Sequence, residues 1–260
     1  MRHASNQGVH IHYEVEGEGP PLVLQHGLTV SLSSWYDRGY VDRLKNDYRL
    51  ILVDARGHGS SDKPHSADAY TSKSMAGDIV AVLDELNLKR AHYLGYSMGG
   101  WIGFALAEHA PERLHSLIIG GMHHRKLGPD CPEVVPFSEG MEATVASWEE
   151  QSGPMDPDFK AKLLANDAEA LKATVLGMVR HPGFQDVLPT MTMPCLVYVG
   201  EADPAFPLAK DTVKHIPKVT VVWLPDLDHL EAIRRSEVVL PHIKRFLGAV
   251  IQEKGQNDPR

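Results

Sequence analysis

The sequence predicts an α/β domain: a mostly parallel central sheet with helices on both faces and a small helical insertion. Three observations lead there. Short apolar runs alternate along the chain with longer amphipathic segments, the pattern of strands joined by crossover helices. One run, Tyr48 to Val53, is apolar almost throughout, as a strand covered on both faces should be. The alternation then fails from about His123 to Thr192, where helix-like pieces follow one another without a strand. We therefore expect a core domain of residues 1–122 and 193–260 and a helical cap of residues 123–192.

The elements follow in order. Val9, Ile11, Tyr13 and Val15 alternate with polar residues, which predicts a half-exposed strand at an antiparallel edge. Gly17, Gly19, Pro20 and Pro21 mark a turn before a short strand over Leu22–Gln25. After Tyr48–Val53, residues Ser74–Leu88 place Met75, Ile79, Val82, Leu83 and Leu86 on one side of a helix. A strand over 91–95, a helix over about 98–109 and a strand over 114–119 come next. In the insertion, Glu139–Gln151, Asp158–Leu164 and Ala168–Val179 look helical. Asp156-Pro157 and Asn166-Asp167 act as starts, and His181-Pro182-Gly183 as a stop. Strands over 195–199 and 219–224 and helices over 208–215 and 230–249 complete the chain.

Composition excludes several function classes. A chain of 260 residues can bury a large core without disulfides or metal. A formal net charge of −8 argues against nucleic acid, whose phosphates require clustered Lys and Arg. No apolar stretch is long enough to span a bilayer, and the first residues lack the apolar segment of a signal peptide. Cys131 and Cys195 lie far apart, so two reduced thiols in a cytoplasmic protein are expected. Among 15 histidines, His10 and His12 share a strand face, and His123 and His124 are adjacent. None has the spaced Cys, Asp or Glu partners of a metal site, and no metal is expected.

Gly95-Tyr96-Ser97-Met98-Gly99 stands between the strand ending near 95 and the helix starting near 98. This G-x-S-x-G pattern suits a sharp, strained strand-to-helix turn that raises a serine hydroxyl above the sheet. The glycines remove side chains that would collide, and the helix aims its unpaired N–H groups at the same place. Two further motifs follow earlier strands: His26-Gly27-Leu28, and Asp54-Ala55-Arg56-Gly57-His58-Gly59-Ser60-Ser61-Asp62-Lys63-Pro64. Together, and in this order, they make the chain resemble the α/β-hydrolase fold superfamily over about residues 8–250. It is most similar to the compact, capped esterase, lactonase and cofactor-free peroxidase-like members.

That resemblance implies a Ser-Asp-His triad in the chain order Ser, acid, His. Ser97 is the implied nucleophile. Asp203 matches the position of the acid after a late strand, with Glu201 its rival. His229 is the only histidine on the last strand-to-helix loop, although Asp228 stands where relatives usually carry glycine. The backbone amides of Leu28 and Met98 are the implied oxyanion donors. Trp35, Trp101 and Met122 are candidate substrate-binding residues. His26 and His58 are implied to brace loops. The implied reaction is hydrolysis of a small-molecule ester or lactone through an acyl-enzyme, with no cofactor. Enol-lactone opening, carbon–carbon hydrolysis, perhydrolysis or a receptor role with little turnover are open alternatives, and a homodimer is left open. An aspartate nucleophile, as in dehalogenase and epoxide hydrolase relatives, is disfavoured by Ser97.

Overall fold

Among the residues that the computed structural model describes, 1–128, 137 and 140–257, the chain forms eight strands. These are β1 (Arg2–Asn6), β2 (Val9–Glu16), β3 (Pro21–Gln25), β4 (Arg49–Val53), β5 (Ala91–Tyr96), β6 (Leu114–Gly120), β7 (Cys195–Gly200) and β8 (Val219–Leu224). They make one sheet in the order β1-β2-β4-β3-β5-β6-β7-β8. From β4 to β8 every neighbouring pair is parallel, while β1 and β2 are antiparallel. The ten α-helices of the same residues are α1 (Ser33–Asp37), α2 (Tyr40–Leu44), α3 (Ser72–Glu85), α4 (Met98–His109), α5 (Met141–Ser152), α6 (Pro157–Leu164), α7 (Ala168–Val179), α8 (Phe206–Thr212), α9 (His229–Arg234) and α10 (Ser236–Asn257).

The period-two alternation of the strands divides the core into two layers. Along β5, Ala91 and Tyr93 point to one face, and Leu94 and Tyr96 to the other. The first face packs against Met75, Ile79 and Val82 of α3 and Ile102 and Leu106 of α4. The second packs against Val41 and Leu44 of α2 and Val239, Ile243 and Leu247 of α10. Between β6 and β7 the helices α5, α6 and α7 build a third, small cluster from Met141, Val145, Leu163, Leu171 and Val175. Leu28 packs against both this cluster and the first face. Lys162 of α6 pairs with Asp37, and Asn166 Nδ2 donates to the Thr29 carbonyl at 2.9 Å. The insertion is thus seated on the loop after β3. The expected cysteine Cys131 lies outside the described residues.

Three details differ from the sequence expectation. The strand over 9–16 is not the edge, because β1 pairs outside it through the tight turn at Gln7 and Gly8. Both turn residues have positive φ, 54° and 80°, the geometry of a type I′ hairpin. β1 buries only Ala4, so it carries no apolar period to read. The last helix is two, broken at Arg235, which leaves helical geometry at ψ 64°. The helices α1 and α2 are five residues each, too short for a helical period to emerge.

One buried ion pair ties the motif after β4 to α3. Arg56 Nε and Nη2 donate to the two carboxylate oxygens of Asp78 at 2.7 and 2.6 Å, with both residues almost wholly buried. Asn6 of β1 donates to the same carboxylate at 2.9 Å. Removing one partner strands a charge that cannot be shed. Asp78→Ala is therefore expected to cost about 3–5 kcal/mol in urea unfolding. A loss under about 1 kcal/mol would contradict this role.

Candidate active site

Ser97 sits between β5 and α4 with φ 55° and ψ −117°, a strained conformation for a residue with a side chain. From Ala91 to Ala107 it is the one residue not buried. The turn that holds it is crowded by backbone. A Cβ on Gly95 would lie 2.1 Å from the Gly99 carbonyl oxygen, and one on Gly99 would lie 2.2 Å from that of Gln25. A Cβ on Gly100 would meet that of Met122 at 2.8 Å, so this glycine brings α4 down onto the end of β6. The Ser97 N–H donates to the Gly120 carbonyl at 2.8 Å, which anchors the turn to β6.

Asp203 and His229 are brought together. His229 Nδ1 lies 2.7 Å from Asp203 Oδ2. Asp203 is 4% exposed, and its Oδ1 accepts the Ala205 N–H at 2.8 Å. Glu201, the rival in the sequence, is exposed. The two loops meet because Gly200 has no side chain: a Cβ there would lie 2.0 Å from the Leu227 carbonyl oxygen.

His229 is the first residue of α9. Asp228, unusual at its position, caps that helix. Its Oδ1 accepts from Leu230 N at 2.8 Å and Glu231 N at 2.7 Å, while Asp228 N donates to Glu231 Oε2 at 3.2 Å. This capping box fixes the direction in which the chain leaves His229.

The imidazole of His229 rests on Gly121, where a Cβ would be 3.0 Å from its Cε1. Gly121 has φ 58°, so a larger residue is disfavoured twice over. Ser97 and His229 therefore contact consecutive residues, Gly120 and Gly121, at the end of β6.

The loop after β3 brings Leu28 to the same place. A Cβ on its neighbour Gly27 would lie 3.4 Å from that of Ser97. Two buried groups set this loop. His26 Nε2 accepts the Ala55 N–H at 3.1 Å, which leaves Nδ1 to donate to the Gly27 carbonyl at 2.7 Å. Asp54 accepts from Leu32 N at 2.8 Å and Ser60 N at 2.9 Å, and its Oδ2 lies 2.8 Å from His12 Nδ1. Burial works to raise the Asp54 carboxyl, but His26, these amides and His12 outweigh it and hold it low. The rings of His26 and His58 lie 5.2 Å apart, tilted by 54°, and burial favours the neutral form of both. They brace loops, as the sequence implied.

Two of the expected substrate-binding residues, Trp35 and Trp101, are buried in the core. Trp35 is 1% exposed and packs edge-on to Tyr40 on the second sheet face. Trp101 is 2% exposed and packs against Phe184 and His181 on the first. Each large ring fills space between helix and sheet. Met122 is buried beside Gly100 at the end of β6. Among the described residues, no three His, Cys, Asp or Glu side chains are placed to hold a metal ion, and no helix is long and apolar enough to cross a membrane.

Sequence reasoning missed Tyr96. Its hydroxyl donates to the His229 carbonyl at 2.5 Å, and its ring lies 5.2 Å from the imidazole. Burial, followed by Asp203 and Tyr40, keeps the phenol protonated and so a donor. The variable position inside G-x-S-x-G carried no signal of this contact.

The alpha/beta hydrolase fold family matches residues 20–189, and the chain belongs to it. A pimeloyl-[acyl-carrier protein] methyl ester esterase of Aeromonas hydrophila is 28% identical over 89% of this chain and 97% of its own. The enol-lactonase of Burkholderia xenovorans LB400 superposes with a TM-score of 0.84 at 26% identity, over 95% of this chain and 100% of the other. An esterase from Rhodococcus sp. ECU1013 does so with a TM-score of 0.82 at 27% identity, over 96% and 98%.

Two predictions follow from this geometry. A neutral hydrogen bond of the Tyr96 kind is worth about 1 kcal/mol. Tyr96→Phe is expected to lower kcat roughly fivefold to tenfold and leave KM within about twofold. An unchanged kcat would remove Tyr96 from the positioning of His229. The second concerns pH. Burial, then His26, pushes His58 from 6.5 down to about 3. The unfolded chain therefore takes up the proton first, and stability is lost as pH falls from about 6.5 towards 3. Each such group contributes about 1.4 kcal/mol per pH unit in that window. Between pH 6.5 and 4.5, His58→Gln should lose roughly 2 kcal/mol less than wild type in urea unfolding. Equal losses would count against a neutral, buried His58.

Proposed function

We propose that this alpha/beta hydrolase cleaves carboxylic esters of small to medium acyl groups, with Ser97 as nucleophile, His229 as base and Asp203 as its orienting acid. The hydrogen bond of 2.7 Å between His229 and buried Asp203, on loops that meet Ser97 through Gly120 and Gly121, is the observation that carries the reading. A serine hydroxyl is a weak nucleophile at neutral pH and needs such a base. In the reading, Ser97 attacks the ester carbonyl while His229 takes its proton. The amides of Leu28 and Met98 receive the oxyanion. His229 then protonates the leaving alcohol, and water activated by the same imidazole releases the acid. Asp203 holds the ring in the tautomer whose other nitrogen is the proton acceptor, and offsets its charge when protonated.

The helical insertion over 123–192 acts as the cap in this reading, and its contact with Leu28 supports it. Lactones fall within the same chemistry, since a lactone is an ester closed on itself. The similarity to an enol-lactonase makes enol-lactones the first cyclic substrates to try.

Nitrophenyl esters, lactones and enol-lactones presented to wild type and Ser97→Ala test the proposal. Wild type should turn over repeatedly on at least one class, and Ser97→Ala should lose at least about a thousandfold in kcat. A fluorophosphonate should label Ser97 and no residue of the Ser97→Ala protein. Full activity in His229→Ala, or no label on folded wild type, would overturn the assignment.

A further inference from the structure

The sheet has two edges, and their residues differ in kind. The outer strand β1 carries exposed Arg2 and His3, and Asn6 ties it to α3 by donating from Nδ2 to the Ser74 carbonyl at 3.0 Å. β8, at the other end, has no such protection. Its residues, VTVVWL, include no charge, no proline and no glycine. They pair with β7 in unbroken register from Cys195↔Val219 to Gly200↔Leu224, so no bulge turns the edge aside. Thr220 is exposed, and so is Val221, a large apolar residue at 37%.

The backbone of that edge is open. The carbonyls of Lys218 and Leu224 accept the N–H groups of Cys195 and Glu201, each at 2.9 Å. In a parallel ladder alternate residues bond to a given neighbour. Lys218, Thr220, Val222 and Leu224 therefore face β7, and the N–H and C=O groups of Val219, Val221 and Trp223 face outward. Among the described residues, no hydrogen bond reaches these outward groups. Pro217 and Pro225 stand at the next outward positions and have no N–H to offer. The open segment is thus bounded at both ends.

Such an edge accepts a strand of equal length, and β8 itself supplies one. Antiparallel pairing about a two-fold axis at Val221 sets Val221 against its own copy and Val219 against the second copy's Trp223. Each of these pairs joins residues whose backbone groups are open, so each can exchange two hydrogen bonds. Pro217 then falls opposite the second copy's Pro225, where no N–H is left over. Val219 against Trp223 is a β-branched residue against an aromatic one, and symmetry makes the pair twice. The Trp223 ring is already held, edge-on to Phe206 of α8 at 5.3 Å.

Charge selects the same orientation. Lys218 precedes the strand and Asp226 follows it. Both are exposed, and neither makes an ion pair among the described residues. The antiparallel register brings Lys218 of each copy to the end of the ribbon where the other copy's Asp226 lies, one diagonal step away. A parallel register would set lysine against lysine and aspartate against aspartate.

We propose that β8 is the contact between two copies of this chain, which join antiparallel about Val221 so that one sheet runs through both molecules. The inference goes beyond the proposed ester hydrolysis and does not rest on it.

Sedimentation velocity over about 0.1–100 μM tests it on the intact protein. The expected result is a closed equilibrium of monomer and dimer, with nothing larger. Val221→Lys places like charges at the axis and should remove the dimer while far-UV circular dichroism stays unchanged, since the position is exposed. Val221→Pro deletes an outward N–H and spares the ladder with β7, which provides a second variant should the lysine protein fold poorly. Lys218→Glu should raise the dimer Kd roughly tenfold, because symmetry counts the lost attraction twice. Register is read by cross-linking in a Cys131→Ser background. Val221→Cys should link to its copy on mild oxidation, because Cα atoms of a hydrogen-bonded pair stand about 5.5 Å apart. Thr220→Cys, which falls opposite the second copy's Val222, should stay reduced.

A monomer at every concentration overturns the proposal and leaves the edge to a strand of another protein. Growth beyond the dimer overturns it too, since the two-fold pairing uses up the edge. So does a dimer that survives both Val221→Lys and Val221→Pro, which places the contact elsewhere. Ser97→Ala should dimerise as wild type does, so failure of the dimer and failure of the triad are distinguishable.

Discussion

The structure depends on how closely the turn around Ser97 lies against its neighbours. Gly95, Gly99 and Gly100 each occupy a position where a single added carbon would strike another element at 2.1–2.8 Å. Those elements are α4 itself, the end of β3 and the end of β6. The β3 end carries the loop with Leu28, and the β6 end carries Gly120 and Gly121, against which Ser97 and His229 rest. Backbone touching backbone leaves little freedom, so one strained residue at φ 55° sets the position of three loops at once. The strain at Ser97 is held because the packed β5 and α4 on either side allow no relaxation.

Around that centre the polar groups divide into layers with different tasks. Asp54, His26 and His58 are buried and face backbone, and they fix the loops after β3 and β4. Asp203 is buried and faces His229, while His229 retains partial exposure, its side chain 31% accessible. The graded burial places rigid groups beneath and leaves the groups proposed to meet substrate accessible. Tyr96 belongs to both layers, with its ring in the core and its hydroxyl on the backbone of the residue proposed as base.

Much of this was legible in the sequence, for reasons tied to particular residues. The strand over 219–224 and the helices over 98–109 and 168–179 are apolar-rich runs bounded by turn or capping residues, and the structure reproduces them. Asp203 and His229 could be proposed because the resemblance to α/β hydrolases implies an acid after a late strand and a histidine on the last strand-to-helix loop. What could not be read depended on contacts distant in sequence. β1 is polar and exists because Gln7 and Gly8 fold it back onto β2. The value of Asp228 lies in a capping box, which replaces the glycine expected there with a hydrogen-bonded turn. The packing of Trp35 and Trp101 could not be read either, because aromatic rings serve pockets and cores alike and their partners, Tyr40 and Phe184, are set by the fold.

Leu28 has a double allegiance. Its amide is the proposed oxyanion donor, yet its side chain packs into the cluster formed by α5, α6 and α7. A change in that insertion therefore reaches the reacting centre through one residue. Divergence of the insertion among relatives cannot then tune the choice of acyl group independently of rate. A chimera that borrows a foreign insertion inherits a displaced amide along with a new pocket, and compensating changes should accumulate in residues 28–38, where the two parts meet.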